Sequence, residues 1–140
     1  MKNFQKVLMI LCIMGLMISC GGKSGGGNTP DKIAVKYAEA FFKGDMDALM
    51  KFAPKEEQEK MKEAKPGEME MAKYFMAAIA EKNKDISDIK AIETELSEDG
   101  NAAVVTIEFK KGENTKTERV KLEKEDGEWF VRDMTGGGLK

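Results

Sequence analysis

The sequence predicts a single α+β domain, in which N-terminal helices pack on a C-terminal, curved antiparallel sheet of about four strands. Two observations carry this prediction. Apolar residues recur with a helical period of about 3.6 up to residue 83, and with a strand period of about two from residue 90 onward. The length of 140 residues suits one core rather than two. Helices that precede a meander of strands bury their apolar sides on one face of the sheet.

Residues 1–19 are predicted to be a secretory signal peptide. Lys2 and Lys6 give it a basic start, and the uncharged run that follows is shorter than the roughly 20 apolar residues that cross a bilayer. The stretch Leu16-Met-Ile-Ser-Cys20-Gly-Gly then resembles a lipobox, where a signal peptidase cuts before a diacylated cysteine. Met17 departs from that pattern, in which Leu is the usual residue three positions before the cysteine.

Cys20 is therefore expected to carry palmitate-type lipid that anchors the mature protein in the membrane. The other cysteine, Cys12, lies inside the apolar run, so no disulfide can form in the mature domain. Residues 20–28 are Gly-rich and are expected to form a flexible tether with a span of ~17 Å. Because Gly21 follows the cysteine, we expect the outer membrane, with the domain facing the periplasm. The alternatives are an ordinary signal peptide before an incidental cysteine, or an uncleaved anchor.

Four helices are predicted between residues 29 and 83. The first begins with Thr29 as a capping hydroxyl, Pro30 in the first turn and an acid after it, and it ends at Gly44. Asp45 is expected to cap a short second helix. Residues 54–65 offer little apolar surface, which predicts a weakly docked third helix. The fourth helix, over residues 68–83, is expected to turn one face to the core, and that face carries Ala72, Phe75, Met76, Ile79 and Ala80.

Four strands are predicted over residues 90–97, 103–109, 115–124 and 128–134, joined by polar turns that contain glycine. The single domain should therefore span residues 29–134, and residues 135–140 should form a flexible tail. In the last strand, Phe130, Arg132 and Met134 are expected to face away from the helices. The residues expected to face the helices are Ile92, Leu96, Ala103, Val105, Ile107, Phe109, Val120, Leu122, Trp129 and Val131.

The composition excludes several classes of function. The chain has no histidine, and Cys20 is the one cysteine left after processing, so His-assisted or cysteine catalysis and ordinary zinc, copper or haem ligation are excluded. No stretch follows the calcium-loop pattern, so we expect neither a metal nor another cofactor. The mature part has 21 basic and 25 acidic groups, a net charge of −4. That balance gives no electrostatic basis for binding nucleic acid.

The segment from Ala38 to Leu49, with the closing run from Asp126 to Val131, resembles the cone-shaped fold of nuclear transport factor 2 and ketosteroid isomerase. It resembles more closely a family of small bacterial lipoproteins of unknown function built on that fold, and the match covers most of residues 29–134. The resemblance implies a pocket between the helices and the sheet, where enzymes of this fold hold an acid or a base. The residues expected to line such a pocket are Tyr37, Phe41, Phe75, Val105, Trp129 and Asp133.

Two functions stay open at this point. The preferred one is a non-catalytic domain that binds a small molecule or a partner protein near the membrane. The other is a small acid/base enzyme, of the isomerase or hydrolase type, acting on an apolar metabolite with Asp45, Asp133, Tyr37 or Tyr74 as the acid or base. A filled core favours the first, and a buried acid that faces a closed apolar cavity favours the second. The sequence leaves the oligomeric state open.

Overall fold

The computed structural model describes residues 28–136, and the side chains as far as residue 134. The predicted signal peptide, Cys20 and residues 20–27 of the predicted tether lie outside the described residues, as do residues 137–140. Four helices precede one antiparallel sheet whose strands follow in the order β1-β2-β3-β4, which confirms the predicted α+β class. The elements are α1 (Pro30–Lys43), α2 (Met46–Phe52), α3 (Lys55–Lys62), α4 (Pro66–Lys82), β1 (Ile86–Leu96), β2 (Ala102–Lys111), β3 (Asn114–Glu125) and β4 (Glu128–Gly136).

Helix α1 has the predicted bounds. Thr29 is its N-cap residue by position, but the hydroxyl makes no capping hydrogen bond, and it has no partner among the described residues. Gly44 ends the helix in the left-handed conformation, with φ of 69°. A Cβ atom at Gly44 would lie 2.6 Å from the carbonyl oxygen of Met76 in α4. Glycine is therefore needed there both for the backbone conformation and for the close approach of α4.

The two short helices follow the predicted pattern. The Asp45 side chain accepts a hydrogen bond of 3.0 Å from the Ala48 N–H and so caps α2. Helix α3 buries none of its residues and packs chiefly against α2. An exposed ion pair of 2.7 Å between Lys55 and Asp126 also ties the start of α3 to the last hairpin. Exposed pairs of this kind add little stability, so α3 is weakly docked, as predicted.

The core lies between α1 and the inner face of the sheet, which we define as the face turned toward α1. Helix α1 contacts all four strands. Val105, Ile107 and Val120 are fully buried on this face, with 0% exposure. The alternation predicted for β2 and β3 is confirmed, because one face of these central strands meets the helix and the other meets solvent.

Strand β1 differs from its prediction. It begins at Ile86, four residues before the predicted start at Lys90. Ala91 pairs with Ile107 and Glu93 with Thr106, which leaves Ile92 unpaired in a bulge and 50% exposed. The prediction that Ile92 faces the core is therefore wrong, because the extra residue shifts the alternation. Leu96 pairs with Ala103 at the end of the strand, where it is 37% exposed.

A bulge also changes the alternation in β4. Val131 pairs with Leu122 and Asp133 pairs with Lys121, so Arg132 is the extra residue. Trp129 and Val131 are buried and Arg132 is exposed, as predicted. After the bulge, Met134 packs against the core rather than facing away, which corrects its prediction. Phe130 was also expected to be exposed, but it is buried although its partner Glu123 is exposed, and strand alternation does not explain this.

Candidate functional site

Four of the predicted pocket residues come together on the inner face of the sheet. Val105 and Trp129 belong to the main core cluster, and Tyr37 and Phe41 of α1 pack against it. The Lys124 ammonium lies 5.4 Å from the centre of the Trp129 ring, at the rim of this cluster. Trp129 therefore packs against the core and also has a cation–π contact with Lys124 over its ring.

Aromatic side chains fill the space between α1 and the sheet. The ring centroids of Tyr37 and Phe41 are 6.5 Å apart, and those of Phe41 and Phe42 are 5.8 Å apart. The Phe42 ring packs on Phe109 of β2 at a centroid distance of 4.9 Å. Two open depressions in the described part of the chain lie elsewhere, one between β1 and β2 and one between α2, α3 and α4. The inner face is thus a packed core around the residues expected to line a pocket.

The other residues considered for the site lie apart from this core. Phe75 points out of α4 and is 64% exposed, so the prediction that it faces the core is wrong. Tyr74 beside it is 81% exposed. Asp45 is engaged as a helix cap, and Asp133 is exposed on β4. Neither Tyr74 nor Asp45 is placed to act as an acid or base inside the domain.

The hydroxyl of Tyr37 has a perturbed environment. Burial raises the pKa of this hydroxyl above its ordinary value, and the charges of Glu57 on α3 and Asp133 on β4 raise it further. The side chain of Asp133 is exposed, but its negative charge is close enough to raise the pKa of Tyr37 at the predicted site. The phenol is neutral at physiological pH even at its ordinary value, and the raised pKa makes its ionisation harder still.

Glu118 is a buried acid that the sequence analysis missed. It lies on β3 opposite Ile107, with its side chain on the inner face, and it is 8% exposed. Burial raises the pKa of its carboxyl, while Lys116 opposes part of that rise, and no hydrogen bond from residues 28–134 stabilises its charge. Strand alternation could have predicted this position. Glu118 lies two residues before Val120 and four before Leu122, so all three side chains share the inward face of the strand.

Helix α4 carries an exposed apolar surface, which we call the α4 outer face and define as Met71, Tyr74, Phe75 and Ala78. Met71 is 75% exposed, Tyr74 81% and Phe75 64%. The spacing of three and four residues places these side chains side by side on the helix. The opposite side of α4 is occupied, because Met76 packs with Ala40 and Leu49 in a second core cluster. The helix is therefore apolar on two sides.

The described residues contain no group of acidic or cysteine side chains arranged to hold a metal ion. None of the helices in the described part is long and apolar enough to cross a membrane.

The geometry of four helices on a four-stranded antiparallel sheet is that of a nuclear transport factor 2-like domain. A Campylobacter jejuni protein named as a candidate transpeptidase of this fold matches with a TM-score of 0.51 and 18% identity, over 71% of this chain and 94% of that chain. A SEC-C motif protein from Rhodopseudomonas palustris matches with a TM-score of 0.49 and 12% identity, over 78% of this chain and 79% of that chain.

The family model described as domain of unknown function DUF4878 matches residues 23–132, and the chain belongs to that family. No curated protein matches the sequence.

Proposed function

We propose that this protein is a lipoprotein of the bacterial cell envelope, held by lipid on Cys20 at the periplasmic face of the outer membrane. The basic and apolar leader, the run Ser19-Cys20-Gly21 and the Gly-rich residues after it support the anchor. The family match begins at residue 23, just past the proposed cleavage point. The first described helix begins at Pro30, so the lipid, the tether and the domain would follow one another without overlap.

The domain is proposed to bind a partner protein or a small ligand through its surface, without catalysing a reaction. The filled inner face is the observation that carries this proposal. Tyr37, Phe41 and Trp129 occupy the region in which a cavity would lie, and their rings contact one another or the core. A ligand would have to displace these side chains in order to reach the interior, whereas the surface is open to a partner.

The alternative function, an acid/base enzyme acting on an apolar metabolite, is favoured by one observation, the buried carboxyl of Glu118. Its raised pKa is a property that catalytic acids share. A role in catalysis would require the core next to Glu118 to open and admit a substrate.

The anchor predicts that Cys20→Ser moves the protein out of the membrane fraction or leaves it as the uncut precursor, because the acyl chains have no other attachment point. Cys12→Ser is the matched control, since Cys12 lies in the segment that is removed, and this variant should stay in the membrane. Mass spectrometry of the N-terminal peptide and fractionation of the envelope measure both effects. Membrane attachment of a cleaved Cys20→Ser protein would refute the anchor.

The binding role predicts that molecules copurifying with the native, detergent-extracted protein are recovered chemically unchanged after incubation with it. The same molecules should copurify with Glu118→Gln, because this side chain lies away from an exposed binding surface. Mass spectrometry of the bound fraction makes the comparison. Conversion of a bound apolar compound by the wild type, and not by Glu118→Gln, would instead support the enzyme.

A further inference from the structure

The α4 outer face has no cover among the described residues. Helix α4 docks chiefly through α1, by the side that carries Met76. A helix in contact with water on one side normally turns charged or polar residues outward. Met71, Tyr74 and Phe75 are instead large, mainly apolar side chains that are exposed. Because they are neighbours on the helix, they form one continuous surface.

The size of this surface limits what can cover it. Taking about 200 Å² for each large side chain, the exposed fractions of Met71, Tyr74 and Phe75 amount to roughly 450 Å². A stable protein–protein complex buries about 800 Å² on each partner. The α4 outer face alone is therefore too small to hold a free partner or a second copy firmly. It is large enough for a surface that is already held close by, because a tether removes much of the entropic cost of association.

We infer that the α4 outer face inserts at the boundary between the headgroups and the acyl chains of the bilayer that anchors the protein. This inference rests on the proposed lipid at Cys20. Phe75 and Met71 supply apolar surface, and Tyr74 supplies a ring with a polar end, which suits the membrane–water interface. Insertion of such a face reaches a depth of about 5–10 Å.

The tether is long enough for this contact. The nine residues from Cys20 to Asn28 span at most about 30 Å when extended. Helix α1 follows the tether and has 14 residues, which makes it about 21 Å long. Its far end at Gly44 touches α4 next to Met76. The α4 outer face thus lies within reach of the membrane while the lipid stays inserted.

The exposed charges of α4 have no excess of positive charge. Glu68, Glu70 and Glu81 are exposed on the helix together with Lys73 and Lys82. The contact must therefore depend on apolar insertion and not on attraction to anionic lipid. Zwitterionic phosphatidylcholine should serve as well as a mixture that contains phosphatidylglycerol.

Membrane contact through α4 would restrict the orientation of the domain. Helix α4 packs chiefly on α1 and not on the sheet. Tyr37 and Phe41 of α1 contact both the core cluster on the sheet and the second cluster around Met76. The surfaces of the domain that do not belong to α4 would stay open to a periplasmic partner.

The test uses the full-length, lipid-modified protein in phosphatidylcholine vesicles with bromine on the acyl chains. Phe75→Trp places an indole on the α4 outer face, and we expect bromine to quench roughly half of the added emission, because the ring lies among the upper acyl carbons. Ile92→Trp is the matched control, since Ile92 is also exposed but lies on the sheet. Its added emission should be quenched little, as should the emission of the buried Trp129 in the wild type.

Three results would overturn the inference. Absence of quenching for Phe75→Trp, in protein that carries lipid and sediments with the vesicles, would refute the membrane contact but leave the anchor intact. Efficient disulfide crosslinking of Tyr74→Cys between copies in the same vesicles would assign the surface to a second copy of the chain. Native protein that proves to carry no lipid on Cys20 and does not sediment with the vesicles would refute the anchor and the contact together.

Discussion

Trp129→Ala is expected to lower the free energy of unfolding by about 3–5 kcal/mol, the usual effect of deleting a large buried aromatic side chain. Trp129 is 9% exposed and belongs to the same core cluster as Val131 and Leu122. Its removal leaves a cavity against α1 that the surrounding side chains can fill only in part. The cation–π contact with Lys124 is lost as well, but it lies at the rim and contributes less.

Chemical denaturation followed by far-ultraviolet circular dichroism measures this effect without relying on the indole. Arg132→Ala is the matched control on the same strand. The Arg132 side chain is 41% exposed and pairs with Glu123 and Glu125, so its loss should change stability by about 0.5 kcal/mol or less. In the wild type, Trp129 should emit at short wavelength and resist aqueous quenchers. A large effect of Arg132→Ala with a small effect of Trp129→Ala would show that the pairing of β4 is wrong.

Glu118→Gln is expected to stabilise the protein above neutral pH and to have little effect near pH 4. Because burial raises the pKa of Glu118 in the folded state, folding favours the protonated form. Below the ordinary value of 4.5, both the folded and the unfolded state are protonated and the carboxyl imposes no penalty. As the pH rises from that value through the raised pKa, the folded state must ionise a buried group and the wild type loses stability. Glutamine removes the charge and keeps the shape.

The difference in unfolding free energy between Glu118→Gln and the wild type should therefore be near zero at about pH 4 and should favour Glu118→Gln at about pH 8. Denaturation curves at the two pH values measure it. Glu113→Gln is the control, because Glu113 is exposed in the turn between β2 and β3 and should show no such change. A difference independent of pH, or one that favours the wild type at high pH, would mean that Glu118 is ionised and stabilised by a partner.

The central strands could be predicted from the sequence because their surroundings are simple. Each inward residue of β2, from Ala103 to Phe109, meets the core, and each outward residue meets solvent or neighbouring outward side chains. Strands β1 and β4 lie at the edges of the sheet, and each contains a bulge. The position of an extra residue depends on how two strands pair, which alternation within one strand does not contain. Ile92 and Met134 were misplaced for this reason.

For helix α4 and the candidate site, prediction from the sequence was limited for a different reason. Apolar residues lie on two sides of α4, so periodicity could not decide whether the side of Met76 or that of Phe75 docks. The contact between Gly44 and Met76 decides it, and such a contact joins residues that are distant in the sequence. Tyr37 could be placed correctly because α1 has one apolar face, and Trp129 because it shares a strand face with Val131. Whether the region between them is open or filled depends on how the rings fit together, and sequence spacing does not determine this.

The position of Thr29 has a mechanical consequence. The chain enters the domain at this residue, so a pull on its N-terminal side is applied first to α1. Helix α1 packs against all four strands and also contacts α2 and α4. Drag on the domain would therefore be distributed across the whole core, and the weakly docked α3 would lie outside the path of the force. Under the proposed anchor, the tether would join the domain at the helix with the most extensive packing, an arrangement that resists peeling from that end.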